Sequence, residues 1–377
     1  MSKTYDAVVA GGGLIGASIA LELAEQGLRV GLFDAKEPGN EASWAGAGMV
    51  SPSPEGQGMI PLVPLSKASA AMYPKFVAHV EGLSGMEAGY RQDGAMEVFF
   101  EENVQEEVST LMAVYHGVGL RAEALSRESV KELEPALTER VRGGVLRPDE
   151  SSLDSRELTR ATLKAGERKG VEIHANTAAK GIWKAGKRCK GLTLADGKVE
   201  AKWTVVAAGC FSAEIGGVEA YAPVSPTKGQ IVLLQSETVN IEHVIWTEHA
   251  YLVPRGEGRI LAGSTMERMG FDRTMTMAGV KKIIDGALEA IPALETAKIE
   301  EMWAGLRPDS PDHLPILGPV DIEGLLFATG HFRSGILLAP ITAQLIGEWV
   351  KNERVSLDWE RFSPMRFLEA GKTQSAR

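Results

Sequence analysis

The sequence predicts an α/β fold with one domain assembled from separated chain segments and a second, strand-rich domain between them. Three observations predict it. The first 34 residues read as strand, glycine turn, helix and strand, a βαβ unit of the required length. Apolar strands running into glycine recur in the middle of the chain, before Gly209, and near its end, before Gly330. The stretches between these points are rich in further strand patterns.

Taken in order, residues 7–10 form a short apolar strand, and residues 14–26 carry helical periodicity in Leu14, Ala17, Ser18, Leu21 and Ala24. Gly27 closes that helix as a C-cap, and residues 29–33 form a second strand ending at Asp34. Residues 38–58 are rich in Gly, Ser, Ala and Pro and read as one long loop, a feature often tied to function. Helices follow at 66–82 and 101–118, with a strand at 95–100 between them. An amphipathic helix at 158–169 leads to a strand at 171–173, then to hairpin strands at 178–183 and 189–194. Strands at 203–208, 230–235, 251–254 and 259–262 precede a helix at 280–291 that Pro292 stops. A strand at 325–328 and a helix at 337–351 complete the pattern, and the polar tail after Leu368 reads as loosely held.

The bulk properties narrow the function classes. The 377 residues are 44% hydrophobic and 24% charged, an ordinary globular composition long enough for two domains. A net charge of -10 argues against nucleic-acid binding, which rests on phosphate neutralisation, yet leaves room for a locally positive pocket and an anionic substrate. Two cysteines, Cys189 and Cys210, are too few for a disulfide scaffold or a cysteine-rich metal site, so buried free thiols and a reducing cytoplasm are expected. His, Asp and Glu are not clustered at metal-ligand spacing. No signal peptide is visible, and no run approaches the roughly 20 apolar residues of a spanning helix. The longest apolar stretch, 335–350, is broken by Pro340 and carries Glu348, so no stable membrane anchor is expected.

The run Gly11-Gly12-Gly13-Leu14-Ile15-Gly16 fits G-x-G-x-x-G in the context that motif requires, after a strand and opening a helix. Gly11 permits the tight turn, Gly13 lets a pyrophosphate approach the backbone, and Gly16 lets helix and strand pack closely. The helix start supplies free N–H groups and a dipole favourable to an anion. Asp34 stands at about the 20-residue distance at which a carboxylate accepts hydrogen bonds from a ribose diol. The motif alone does not separate FAD from NAD.

Five more segments occur in order: Ala45-Gly46-Ala47-Gly48-Met49, Tyr251-Leu252-Val253-Pro254-Arg255, Gly263-Ser264-Thr265-Met266, Trp303-Ala304-Gly305-Leu306-Arg307-Pro308 and Gly330-His331-Phe332-Arg333-Ser334-Gly335-Ile336. Together with the glycine motif they resemble the D-amino-acid oxidase superfamily of flavoproteins, specifically its bacterial glycine oxidase branch, over nearly the whole chain. The resemblance implies a Rossmann-like domain for non-covalently bound FAD, drawn from residues 1–85, 145–222 and 309–377. It implies an α+β substrate domain with a mixed or antiparallel sheet, drawn from residues 86–144 and 223–308. It further implies oxidation of small amino acids or amines by hydride transfer to flavin, with molecular oxygen reduced to hydrogen peroxide. The imine product would hydrolyse to a 2-oxo acid and ammonia, or feed the thiazole of thiamine. Relatives are often homo-oligomers.

The same resemblance assigns roles. Arg307 would hold the substrate carboxylate, a role suited to a planar guanidinium that pairs with two oxygens; the alternative is an ion pair with Asp309 or Asp312. Tyr251 would donate its hydroxyl beside it, or serve as a core aromatic. His249, alternating with Tyr251 on one strand, would share its face or lie on the surface. Met49 and Met266 match pocket-lining positions, with ordinary core as the alternative, and Trp246 would limit pocket size. The segment from His331 through Ser334, Gly335, Ile336 and Leu337 would run past the flavin ring, with Arg333 facing substrate or flavin edge, or lying on the surface. Ser43, Ala47, Gly48, Ala179 and Gly209 complete the expected cofactor contacts with Gly11, Gly13, Leu14, Ile15, Gly16 and Asp34. One departure stands out: Glu41 and Trp44 occupy positions where relatives often carry small or hydroxyl residues. The first rival reading is a D-amino-acid dehydrogenase passing electrons to a membrane quinone, with the apolar loop 59–65 either touching the bilayer or packed on the protein; the others are a non-redox module that keeps the flavin for structure and a nicotinamide enzyme.

Overall fold

The structure, a computed structural model, describes residues 4–368. The tail beyond Leu368 lies outside the described residues. Two eight-stranded sheets dominate. The first runs Ile316–Pro319, Leu325–Thr329, Gly197–Val206, Thr4–Ala10, Val30–Phe33, Glu172–His174. The pairings from Leu325–Thr329 through Glu172–His174 are parallel, while Ile316–Pro319 joins antiparallel. The hairpin Gly181–Ala185 and Arg188–Leu194 extends from Gly197–Val206. Thr4–Ala10 is central, and Ala7, Val8, Val9 and Ala10 are all buried, as expected for a parallel strand covered on both faces. Helices Leu14–Glu25, Ser155–Arg168, Val63–Ser84 and Ala339–Asn352 contribute to the core on one side. Ser155–Arg168 starts where the Asp154 carboxylate accepts the N–H groups of Arg156 (2.8 Å) and Glu157 (3.2 Å), a cap worth about 1 kcal/mol.

The second sheet runs Lys298–Asp309, Ser225–Gln235, Arg259–Gly263, Tyr251–Pro254, Val244–Trp246, Ala95–Phe99, Gly143–Arg147, Glu123–Ser126. Its pairings are antiparallel except for Val244–Trp246 beside Ala95–Phe99, so the sheet is mixed. The period of two divides it into two faces. Met96, Val232, Ile245, Leu252 and Ala262 pack against Ile283, Ala287 and Ala290 of helix Met277–Ala290. Ile231, Tyr251, Val253, Leu261 and Trp303 face the other way, onto Ala45 and Ala47. That second face turns toward the first sheet.

Several boundaries differ from expectation. The loop at 38–58 holds a helical turn, Ala42–Ala45, and a short strand, Met49–Val50, paired with Ser151–Ser152. That pairing spans about a hundred residues, so no local pattern announces it. The first hairpin strand begins at Gly181, leaving Ala178 and Ala179 out of the ladder. The last helix begins at Ala339, with Pro340 in its first turn, where its missing N–H costs nothing. The expected boundary at 144/145 falls within the strand Gly143–Arg147, which pairs wholly within the second sheet.

Candidate active site

A cavity of about 370 Å3 lies between the two sheets. Its first wall is made by the carboxyl ends of the parallel strands and the residues just after them: Ala10 and Gly11, Phe33 and Asp34, Ala207 and Ala208, Thr329 and Gly330. Open α/β sheets bind ligands at this edge. The facing wall is the second sheet, with Gly229, Ile231, Tyr251, Gly305 and Arg307.

At one end the backbone is ready for an anion. Gly11 adopts φ 110°, and a Cβ there would lie 2.4 Å from the Ala207 carbonyl oxygen. At Gly16 a Cβ would lie 1.9 Å from the Gly11 carbonyl oxygen, so helix and turn meet without a side chain between them. Gly13 and Ile15 line the cavity, and among the described residues their N–H groups donate to no backbone carbonyl. Free donors at a helix start fit a pyrophosphate. Asp34 is fixed from behind: the N–H groups of Gly12 (2.7 Å) and Lys36 (2.8 Å) donate to its two oxygens. Each oxygen keeps a lone pair for a ribose hydroxyl. Ser43, Ala47, Gly48, Met49, Ala179 and Gly209 line the same cavity. The residues present therefore fit FAD.

At the other end stands Arg307, on Lys298–Asp309. Its Nη1 donates to the Thr265 carbonyl (3.1 Å) and its Nη2 to the Ser264 hydroxyl (2.6 Å). Neither expected ion pair forms: Asp309 engages His313 (2.6 Å) and Thr227 (3.2 Å), while Asp312 engages Arg366 (2.8 Å). Among the described residues no carboxylate forms a salt bridge with Arg307. Burial lowers its pKa, and the nearby Tyr251 phenol acts against that shift. Two glycines make room for this pair. A Cβ at Gly229 would lie 2.2 Å from Arg307 Nη1, and a Cβ at Gly263 would lie 2.5 Å from the Tyr251 hydroxyl. Gly229 sits inside its strand and Gly263 ends its own, and glycine in a strand often marks close approach of another group. Sequence reasoning missed this signal, although it was present.

The turn after Leu325–Thr329 closes this end. His331 is buried, its Nε2 lies 3.1 Å from the Thr342 hydroxyl, and burial lowers its pKa to about 3, so the ring is neutral. The Ser69 hydroxyl donates to the Leu337 carbonyl (2.6 Å) and the Tyr73 hydroxyl to that of Ile336, pinning the turn to helix Val63–Ser84. Gly335 and Ile336 line the cavity, and among the described residues their N–H groups donate to no backbone carbonyl. Arg333 also lines it and pairs with Glu55, a residue the sequence reading did not single out.

Several expected residues lie elsewhere. Leu14 is buried in the core, and its N–H goes to the Ser43 hydroxyl (2.9 Å). Gly16 serves packing rather than lining. His249 precedes the strand, in a turn held by the Thr247 hydroxyl, and faces Glu289 at 3.8 Å; alternation with Tyr251 fails because the strand begins at Tyr251. Met266 is 57% exposed because Thr265 takes the inward position, its hydroxyl bonded to the Gln230 N–H (3.0 Å) and Glu267 (2.5 Å). Trp246 packs on Tyr251 with ring centroids 5.5 Å apart and, with Ser334 and Leu337, borders a smaller neighbouring cavity. Trp44 lies under the Arg156 guanidinium, 3.6 Å from its ring centroid. Glu41 does line the large cavity, tied to Lys36 (2.8 Å) and to Arg273. Both cysteines are buried; Cys210 borders the cavity with a thiol that burial raises to about 12. In the region 59–65, Leu62, Val63 and Leu65 are buried, Met59, Ile60 and Pro61 are half-buried, and Pro64 is exposed. Among the described residues no helix is long and apolar enough to cross a membrane.

Comparison with known proteins gives a consistent result. The family model described as FAD dependent oxidoreductase matches residues 6–349. The chain is 33% identical over 375 residues to the bifunctional protein ThiO/ThiG of Synechocystis sp., covering 98% of this chain but 55% of that protein's length. It is 32% identical over 405 residues to the hydrogen cyanide synthase subunit HcnC of Pseudomonas aeruginosa, covering 97% of each. Glycine oxidase from Geobacillus kaustophilus superposes with a TM-score of 0.91 at 29% identity, covering 96% of this chain and 99% of that one.

Proposed function

The chain belongs to the FAD-dependent oxidoreductase family, and on that premise we propose that it oxidises glycine and other small amines or D-amino acids, with oxygen as electron acceptor. The observation that carries this reading is a guanidinium, Arg307, that pairs with no carboxylate among the described residues and faces the same cavity as the dinucleotide-binding turn. Bound FAD supplies the acceptor for a hydride from the substrate α-carbon.

Arg307 pairs with the substrate carboxylate, and Tyr251 donates its hydroxyl beside it. The Thr265 carbonyl and Ser264 hydroxyl hold the guanidinium in place before substrate arrives, so binding is converted into alignment of the α-carbon. The poorly hydrated surroundings that lower the Arg307 pKa also disfavour a substrate ammonium, favouring the free amine whose lone pair drives imine formation. His331, held neutral by burial, does not act as an imidazolium acid. The free N–H groups of Gly335 and Ile336 would stabilise negative charge at the reduced ring. No protein base is needed on this route.

The imine would hydrolyse to a 2-oxo acid and ammonia, and use of glycine's imine in thiamine thiazole synthesis is a further part of this reading. Similarity to ThiO/ThiG and to glycine oxidase supports it. The test is an anaerobic titration of the yellow protein with glycine, sarcosine, D-alanine and D-proline, followed by air. Bleaching, then recovery with one hydrogen peroxide per amine consumed, is expected. Absence of bleaching by every amine would contradict the reading. Bleaching reversed by a quinone but not by oxygen would favour the dehydrogenase.

A further inference from the structure

A small amino acid brings one carboxylate, yet two arginines border the substrate end of the cavity. Among the described residues Arg307 pairs with no carboxylate, and Arg333 is paired with Glu55. The two guanidiniums feel each other, since Arg333 disfavours the charge on Arg307. Burial raises the pKa of the Glu55 carboxyl, and Arg333, then Arg307 and Arg147, act against that shift. Paired with Arg333 and lining the same cavity as Arg307, the Glu55 side chain fills the place of a second acid group among these cations.

The origin of Glu55 makes it replaceable. It lies in no helix or strand, between Met49–Val50 and the short helical segment Gln57–Leu62. Its neighbour Gly56 has φ 99° and open space where a Cβ would be, so little packing fixes the chain there. The Glu55 side chain is 38% exposed and that of Arg333 26%. Arg333, by contrast, follows a buried strand through a turn pinned by Ser69 and Tyr73. Both members of the pair also border a second cavity of about 40 Å3, lined by Met49, Ser53, Trp246 and Ser334. The pair thus forms part of the partition between the substrate end and this smaller space.

We infer that Glu55 is a specificity-determining residue: it occupies Arg333 in place of a distal acid group, and amino dicarboxylates are substrates whose second carboxylate displaces it. This rests on the reading that Arg307 holds the α-carboxylate. An arginine fork accepts one carboxylate as readily as another of the same geometry, so substrate and Glu55 compete for one site. While Glu55 holds that site, only the displaced fraction is competent, and the apparent affinity for a dicarboxylate falls by that fraction.

The test uses the FAD-loaded enzyme and its Glu55→Gln variant, with Glu55→Ala as a second variant lacking the amide. The measured quantity is the ratio of kcat/KM for iminodiacetate and for D-aspartate to that for glycine. Both variants are expected to raise the ratio about tenfold or more, chiefly through KM, and adding Arg333→Gln to Glu55→Gln is expected to abolish the gain. A ratio within twofold of wild type, or a lower one, overturns the assignment. If wild type oxidises glycine while the ratio is unmoved, only the role of Glu55 fails. If no amine reduces the flavin of the wild type, the underlying function fails, and this assignment with it.

Discussion

Arg307 is costly where it stands. A desolvated cation whose partner is missing costs on the order of 3–5 kcal/mol, and here two neutral oxygens supply only part of the compensation. On the proposed function a substrate carboxylate would complete the pair, and Gly229 and Gly263 stay bare because the Arg307 and Tyr251 side chains fill the space a Cβ would take. His331 makes a different prediction. Its pKa falls from an ordinary 6.5 to about 3 through burial. Between those values the unfolded chain binds a proton that the folded chain does not. The stabilisation is thus complete above pH 6.5 and is lost as pH falls toward 3, at up to about 1.4 kcal/mol per pH unit. His331→Gln is expected to flatten the fall in urea midpoint between pH 6.5 and 4.5; an unchanged slope would contradict this. Of these residues, Arg307, Tyr251 and His331 were legible through their motifs. Glu55 was not, because a single carboxylate in a Pro- and Ser-rich loop carries no spacing signal.

The loop between Arg259–Gly263 and Met277–Ala290 joins the two walls of the cavity. On its own side it is fixed by buried Lys228, which reaches the Thr274 carbonyl (3.1 Å) and Glu267 (2.9 Å), and by Gln230, which accepts the Thr276 N–H (2.9 Å). Across the cavity Arg273 pairs with Glu41, and Phe271 stacks on Phe211 with ring centroids 5.2 Å apart. Glu41 and Phe211 both line the cavity, so this loop straps its dinucleotide end. Arg273→Gln is expected to speed FAD release severalfold, consistent with about 1 kcal/mol for a pair this exposed. Recovery of flavin fluorescence after dilution measures it, and an unchanged release rate would contradict a strap. The unusual Glu41 was legible as a departure, but its partner 232 residues away was not. Lys298–Asp309 also escaped the sequence reading. It is an edge strand whose first half is largely exposed, with Ile299 and Met302 facing solvent, and that blurs the alternation marking a strand.

At the scale of the molecule, interleaved segments build the two large sheets, and their facing surfaces enclose a cavity with two chemistries. Free N–H groups and Asp34 stand at one end, Arg307 and Tyr251 at the other. The parallel sheet was legible because its strands run into glycines at the cavity, where ligand and backbone approach closely. Strand order and the pairing of Met49–Val50 with Ser151–Ser152 were not, because long-range register leaves no local trace. The central claim is that this cavity holds the carboxylate of a small amine on Arg307 beside the bound flavin. The direct measurement is KM for glycine in Arg307→Ala, with flavin content checked by absorbance. The account predicts a yellow protein with KM raised at least about 30-fold, the loss expected when one member of a buried charge pair is removed. An unchanged KM in a protein that retains its flavin would contradict it.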